Sequence, residues 1–309
     1  MTYMPTFSVL IPTWKRPEKL FECLNHIANQ IKKPDEVIVI VREIDTESIK
    51  IITDFMEQLP ELRYVFTTRP GVIAAENVGI SEARYDYIAF IDDDGYAPDT
   101  WLLHINNFFI NNPNATALGG SDIIKGEPWT YHDYEVTEVG LLTWYGKIIG
   151  NHHRKCLGPL RKVDVLKGVN MIFKRKSIGS LDEKLAGIEG HLGNGSQWEL
   201  DLCMRVKNNG GDIYFDPSLV VIHDSNHTTH NHLIASMNNA HNLAYVMLKN
   251  LSLVSQLIFL IYALTVGNTQ LPGIFKMFYD VIKEKSLKPI QIYFFKLRGF
   301  FGGILTYIN

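Results

Sequence analysis

The sequence is short of several things, and each shortage removes a class of protein. Cysteine occurs three times in 309 residues, at Cys23, Cys156 and Cys203. An odd number at wide spacing excludes a disulfide framework or zinc knuckle and fits a reducing compartment. An excess of positive charge is missing too. The formal net charge is −3, so no nucleic-acid partner is indicated. The first residues, MTYMPTFSVLIP, have no basic stretch followed by a long apolar one, and a secretory signal is not expected. Internal repeats and low-complexity tracts are absent. What remains is ordinary for a globular enzyme, with 46% hydrophobic and 20% charged residues. The chain is long enough for one large core or two smaller ones.

Apolar runs and helical periodicities alternate over the first part of the chain. A strand at 7–11 is stopped by Pro12. A helix after Pro17 sets Leu20, Cys23, Leu24, Ile27 and Ile31 at helical spacing. The run EVIVIV at 36–41 precedes a helix over 46–59. A strand at 62–67 precedes a helix over 71–83, and a strand at 87–91 precedes one over 98–111. A short strand follows at 116–119. This alternation predicts an α/β fold, a mostly parallel sheet with helices on both faces, whose ligands bind at the carboxyl ends of strands. From 126 to 163 the pattern breaks into glycines and scattered Trp129, Tyr131, His132, Tyr134, Trp144, Tyr145, His152 and His153, a long insertion suited to shaping a substrate pocket. A strand at 170–173, a helix over 197–208 closed by Gly210-Gly211, and a strand at 212–222 complete the pattern.

Chemistry concentrates at the strand ends. Asp92, Asp93 and Asp94 close the apolar strand that ends at Ile91. Three adjacent carboxylates concentrate repulsion, and a hard divalent cation such as Mg²⁺ or Mn²⁺ relieves it. A solvated acidic turn is the plain alternative, and the strand-end position favours the site. At the first strand end stand Pro12, Thr13 and Arg16. The second ends in Val41-Arg42-Glu43, where Glu43 offers acceptors to a base edge. In RPGVIAAENVGISEA, which begins at Arg69, the small residues Gly71, Ala75 and Gly79 let a helix approach the sheet, and Asn77 can orient a phosphate or an aspartate. Glu199 and Asp201 lie at a helix N-terminus, where the dipole favours anions, and either suits a general base. His223 ends the last strand, ahead of His227, His230 and His232, and offers an imidazole to a metal or diphosphate.

In order, SVLIPTWKRPEKL, RPGVIAAENVGISEA, AFIDDDGYAPDTWL, GVNMIFKRKSI and WELDLCMRVKNNGG, followed by VVIH, resemble the inverting family 2 glycosyltransferases of the GT-A fold. The resemblance implies a GT-A domain over 1–230, with a nucleotide-sugar-binding half (1–122) and an acceptor and catalytic half (123–230), plus a C-terminal helical extension over 231–309. It makes Asp92-Asp93-Asp94 the DxD-type motif. Asp92 would face the ribose or the metal, Asp94 would bind the metal bridging the diphosphate, and His223 would be a further metal ligand. Asp93 counts with the nucleotide-sugar contacts, although its side chain is expected to point elsewhere. Pro12, Thr13, Arg16, Glu43, Arg69 and Asn77 fill out the donor contacts. Glu199 falls where the family has its catalytic aspartate, with Asp201 as the fallback. Two departures stand out: Trp198-Glu199 replaces the family's Glu-Asp pair, and Val41-Arg42-Glu43-Ile44-Asp45 replaces its double-Asp, Gly, Ser run.

The implied reaction is one in-line displacement, in which an acceptor hydroxyl loses its proton to Glu199 and attacks the anomeric carbon. Mn²⁺ or Mg²⁺ offsets charge on the departing diphosphate. The expected partners are a nucleotide-diphosphate sugar and a saccharide or lipid-linked acceptor. The expected setting is the cytoplasm or the cytoplasmic face of a membrane. A sugar-phosphate nucleotidyltransferase is the rival enzyme, but it wants a Gly-rich loop after the first strand, and IPTWKRPEKL has no glycine. A non-catalytic nucleotide-sugar-binding subunit would more readily lose both acidic sites.

The last 77 residues, 233–309, differ from the rest, with seven Lys or Arg against two Asp or Glu. The apolar run 251–266 contains Ser252, Ser255 and Gln256 and falls short of the ~18–20 residues a membrane span needs. The final KPIQIYFFKLRGFFGGILTYI interleaves aromatics with Lys288, Lys296 and Arg298. Such a helix suits an anionic membrane surface, or packs on the catalytic domain or on a second copy in a homodimer.

Overall fold

The computed structural model describes residues 4–126, 135–185, 195–224 and 232–309. The chain forms two compact units: Met1–Leu141 with Gly150–Leu181 and Leu202–Asn226, and Leu142–Ile149 with Asp182–Asp201 and His227–Asn309. Trp129, Tyr131, His132, Tyr134, His227 and His230 lie outside the described residues.

In the first unit β1 (Phe7–Pro12), α1 (Pro17–Ala28), β2 (Glu36–Val41), α2 (Thr46–Phe55), β3 (Leu62–Phe66), α3 (Val72–Glu82) and β4 (Tyr87–Phe90) alternate as the periodicity predicts. Then come β5 (Gly95–Tyr96), α4 (Trp101–Asn111), β6 (Ala117–Ile124), β7 (Leu141–Leu142), β8 (Ile148–Ile149), β9 (Arg161–Lys162), β10 (Met171–Lys174), α5 (Trp198–Asn208) and β11 (Ile213–His223). Every residue of β2 is buried because both faces of the strand are covered. Phe7, Val9 and Ile11 join a core with Leu20 and Leu24 of α1 and Trp101 and Ile105 of α4. Leu10 and Ile40 point the other way, toward α3. A Cβ on Gly79 there would sit 2.9 Å from Ile40 Cδ1 and 3.0 Å from Leu10 Cδ1, so the small residue permits the close approach.

The sheet order is β3-β2-β1-β4-β10-β6-β11-β5, with β9 on β11. It is parallel across β3-β2-β1-β4 and again between β6 and β11, while β10 runs antiparallel between β4 and β6. Hydrophobic period does not encode strand direction, so this antiparallel insertion was not readable. β6 also runs further than 116–119. Its glycines hid it, and they are needed there: a Cβ on Gly120 would lie 1.7 Å from Leu219 O. Asn170 ties the region together. Its Nδ2 donates to Ser121 O and Leu219 O, and its Oδ1 accepts from Trp101 Nε1.

The second unit holds α6 (His232–Asn250), α7 (Leu253–Thr265), α8 (Ile274–Glu284) and α9 (Lys288–Ile308). α6 and α9 pack through backbone. A Cβ on Gly299 would lie 2.0 Å from Met237 O, and one on Gly303 2.2 Å from His241 O. Small residues four apart on one face allow this approach. Thr306 Oγ1 meets His241 Nε2 at 2.9 Å, and Asn242 Nδ2 donates to Leu185 O and Ser196 O. Gly146, between β7 and β8, lies against Phe259, and Tyr145 meets Tyr262 edge-on. Lys296 of α9 is 9% exposed. The face of α9 that carries it turns inward, so it is not part of the surface-facing basic stripe the sequence suggested. Among the described residues no helix is long and apolar enough to cross a membrane.

Candidate metal and donor site

Strand register brings the acidic triplet and His223 together. β1 and β4 are parallel neighbours with Leu10 opposite Phe90, so Thr13 and Asp92 leave adjacent strand ends. The triplet then turns, with Gly95 N donating to Asp92 O at 2.9 Å. Only glycine fits the turn, because a Cβ on Gly95 would meet Val169 Cγ2 at 2.6 Å. β5 next pairs antiparallel with the end of β11, placing Gly95 opposite His223, and Asp224 N donates to Asp94 O at 2.9 Å. As a result, ligand atoms of Asp92, Asp94 and His223 all lie within 4.8 Å of one another.

The chemistry of this set fits a divalent cation. His223 Nε2 lies 3.1 Å from Asp94 Oδ1, yet Asp94 Oδ1 is buried without a hydrogen bond, as are His223 Nδ1 and Asp122 Oδ1. That distance is in ion-pair range. Orphaned buried polar atoms of this kind call for a partner, and carboxylate oxygen with imidazole suits Mn²⁺ or Mg²⁺. Burial pulls the His223 pKa down, but contacts with Asp122 and Asp94 and the charge of Asp92 outweigh it and raise it to about 9. Burial pushes Asp94 up, yet His223, Arg16 and Lys19 hold it below the usual carboxylate range. Asp92 moves up, chiefly through burial.

Asp93 does point elsewhere, but it is engaged. Thr13 Oγ1 donates to its Oδ2 at 2.7 Å and Arg16 Nη1 to its Oδ1 at 3.0 Å. Arg16 Nη1 also reaches Asp94 Oδ2 at 3.1 Å, while its side chain stays 47% exposed. Burial lifts Asp93 to about 7 against the pull of Arg16 and Thr13. Two site residues were missed in the sequence. Asp122, 1% exposed on β6, pairs with Lys167 and lies 3.7 Å from His223 Nδ1. Its signal was an acid inside the strand ALGGSDII, since a buried charge needs a partner. Lys167 carried no such signal. Around the rim, Asp224 is held by Lys19, Lys125 and the Tyr96 hydroxyl.

The other sequence candidates are placed differently. Pro12 ends β1, and Thr13 N donates to Ile40 O. Glu43 and Arg69 are exposed on the turns after β2 and β3. Asn77 has another task than orienting a phosphate: its Nδ2 donates to Leu181 O at 3.0 Å and its Oδ1 accepts from Leu181 N at 2.7 Å. Both polar groups are used to pin a loop to α3. In the second unit Glu199 is half-buried in the first turn of α5. Asp201 is fully buried and accepts from Lys249 and Asn250, with Lys249 also on Asp182. That makes Asp201 a buried counter-ion, a correction to its standing as fallback base.

The family model described as Glycosyl transferase family 2 matches residues 8–180, more than half of the chain. That stretch contains the triplet and ends before Glu199 and His223. An uncharacterized glycosyltransferase of Haemophilus influenzae is 27% identical over 146 residues, 47% of this chain and 55% of that protein. Chondroitin synthase of Escherichia coli is 26% identical over 147 residues, 47% of this chain and 21% of its own. The poly(ribitol-phosphate) beta-glucosyltransferase of Bacillus spizizenii is 30% identical over 125 residues, 38% of this chain and 19% of its own. The chain thus spans about half or less of the length of these relatives. Among solved structures, the mannosyltransferase PcManGT from Pyrobaculum calidifontis, in complex with GDP-Man and Mn²⁺, superposes with a TM-score of 0.57 at 14% identity, covering 99% of this chain and 88% of that one. GalNAc-T7 with UDP, GalNAc and Mn²⁺ gives the same TM-score over 79% of this chain and 48% of its own. The likeness establishes the GT-A fold.

Proposed function

Because the chain belongs to glycosyl transferase family 2, we propose that it moves a sugar from a nucleoside-diphosphate donor to an acceptor hydroxyl, inverting the anomeric carbon. The observation that carries this reading is the strand-end cluster of Asp92, Asp94 and His223, in which buried Asp94 Oδ1 and His223 Nδ1 make no hydrogen bond. These side chains would hold Mn²⁺ or Mg²⁺, which when bound offsets charge on the departing diphosphate. Arg16, half exposed across Asp93 and Asp94, is positioned to meet a phosphate oxygen, and Thr13 keeps Asp93 oriented for it. Glu43 and Arg69, exposed on the turns after β2 and β3, would add contacts to the donor.

Glu199 takes the acceptor proton as the new oxygen–carbon bond forms and the bond to the diphosphate breaks. It is half-buried on the first turn of α5, whereas Asp201 is fully buried against Lys249. The acceptor of this reading is a saccharide or a lipid-linked one, and the saccharide is supported by the names of the Escherichia and Bacillus relatives, a chondroitin synthase and a poly(ribitol-phosphate) beta-glucosyltransferase. The cytoplasm, or the cytoplasmic face of a membrane, is the setting that goes with such an acceptor. Incubating a panel of nucleotide sugars with the protein and Mn²⁺ tests the reaction. Release of nucleoside diphosphate and sugar of inverted configuration is expected. Release of pyrophosphate, or donor binding without turnover, would contradict it.

A further inference from the structure

Helix α8 is built inside out. Two of its charged residues, Lys276 and Asp280, turn toward the protein, where they are half-buried, pair with each other and act on buried Lys296 of α9. Its apolar arc turns to solvent. Phe275 is 65% exposed, Phe278 55%, Tyr279 59% and Ile282 76%, and no residue of the helix is buried. Helical geometry sets these four on one stripe, opposite Lys276 and Asp280. α7 repeats the pattern. Leu253, Leu257 and Ile261 are each more than 60% exposed, while Phe259 and Ala263 are buried on the opposite side. A contiguous outward apolar face of this kind marks a contact surface.

Charge says what the surface meets. Lys283, Lys285 and Lys288 follow the apolar stripe, and Glu284 is the only acid after Asp280. Residues 233–309 carry seven basic against two acidic groups, and the preceding 232 residues carry 23 against 31. We propose that α7 and α8 form a membrane-surface contact, lying in the plane of an anionic bilayer with their apolar arcs in the acyl boundary and the lysines at the headgroups. With 13 and 11 residues, the two helices are too short to span. A second copy is the weaker occupant, because a two-fold contact would set one basic surface against its twin. This surface is independent of the proposed reaction.

Co-sedimentation of the whole chain with phosphatidylcholine vesicles, with and without phosphatidylglycerol, tests it. Binding is expected to the anionic vesicles, weakened by salt. The triple change Phe275→Ser, Phe278→Ser and Ile282→Ser should lower vesicle-bound protein at least ~10-fold. Lys283→Glu with Lys285→Glu and Lys288→Glu should remove the preference for anionic lipid. All six positions face outward, and circular dichroism checks that the variants fold. As an independent readout, Phe278→Trp should shift its emission to the blue when anionic vesicles are added. Wild-type protein that stays in the supernatant, or an emission unchanged by vesicles, would overturn the proposal. So would a dimer in light scattering that the serine changes dissolve without any vesicle binding.

Discussion

The strand-rich unit keeps apolar side chains inside and charge at its strand ends, whereas the helical unit turns apolar arcs of α7 and α8 outward and buries Lys296, Asp201 and Asn242. Both bury charge, but differently. In the first unit the buried carboxylates cluster, with polar atoms left over for a ligand. In the second, buried Asp201 is matched by Lys249 and Asn250, while Lys249 bridges on to Asp182, which also accepts from the Tyr245 hydroxyl. Clustered carboxylates with acceptor capacity to spare suit a cation, and the matched Asp201–Lys249 pair suits a joint.

That contrast is most easily broken at Asp94. Asp94→Ala should lower turnover at least ~10³-fold and remove cation-dependent donor binding, since a ligand and a partner of Arg16 are lost together. Donor hydrolysis and calorimetry measure both, and normal activity would end the metal assignment. The two acids of α5 should then separate. Glu199→Gln should melt like the wild type and bind donor, yet lose transfer by ~10²–10⁴-fold. Asp201→Asn should instead cost about 2–3 kcal/mol in urea denaturation, tempered by the partner that Asp182 still gives Lys249.

Smaller effects sharpen the helical side. Gly303→Ala should destabilise by about 1–3 kcal/mol, because its Cβ collides with the His241 carbonyl. Gly302→Ala, whose Cβ would meet only the His241 ring at 3.2 Å, should be close to neutral. A pH-dependent effect is expected at Lys296. Burial and neighbouring Lys276 lower its pKa from 10.5 to about 8, against the pull of Asp280. A folded value below the unfolded one means that the cost of the charge is full below about pH 8 and relieved as pH rises toward 10.5. Stability should therefore climb over that window. Lys296→Met should flatten the slope and stabilise by about 1–2 kcal/mol near neutral pH, read from denaturation at several pH values.

The strand-rich unit was legible because its period had one medium to answer to. EVIVIV reads as an apolar strand, and it is one, buried along its whole length. The triplet at a strand end likewise reads as a site, and register carries His223 to it. Asp122 and Lys167 were harder, because Gly119 and Gly120 disguise β6 and a lysine between loops has no period. Asn77 misled because the loop at Leu181 that uses it is more than 100 residues away, and no local pattern pairs positions 77 and 181. In the helical unit periodicity shows that α8 has an apolar face but not which way it turns. Direction there is set by α9 and Lys296, which no local pattern reports.

Titration of Mn²⁺ into the wild type and into His223→Ala, each with a nucleoside diphosphate present, tests the central claim most directly. A single site should appear in the wild type and weaken at least ~10-fold in His223→Ala, because the imidazole is one of three ligands that converge there. Equal affinity in the two proteins would contradict the account.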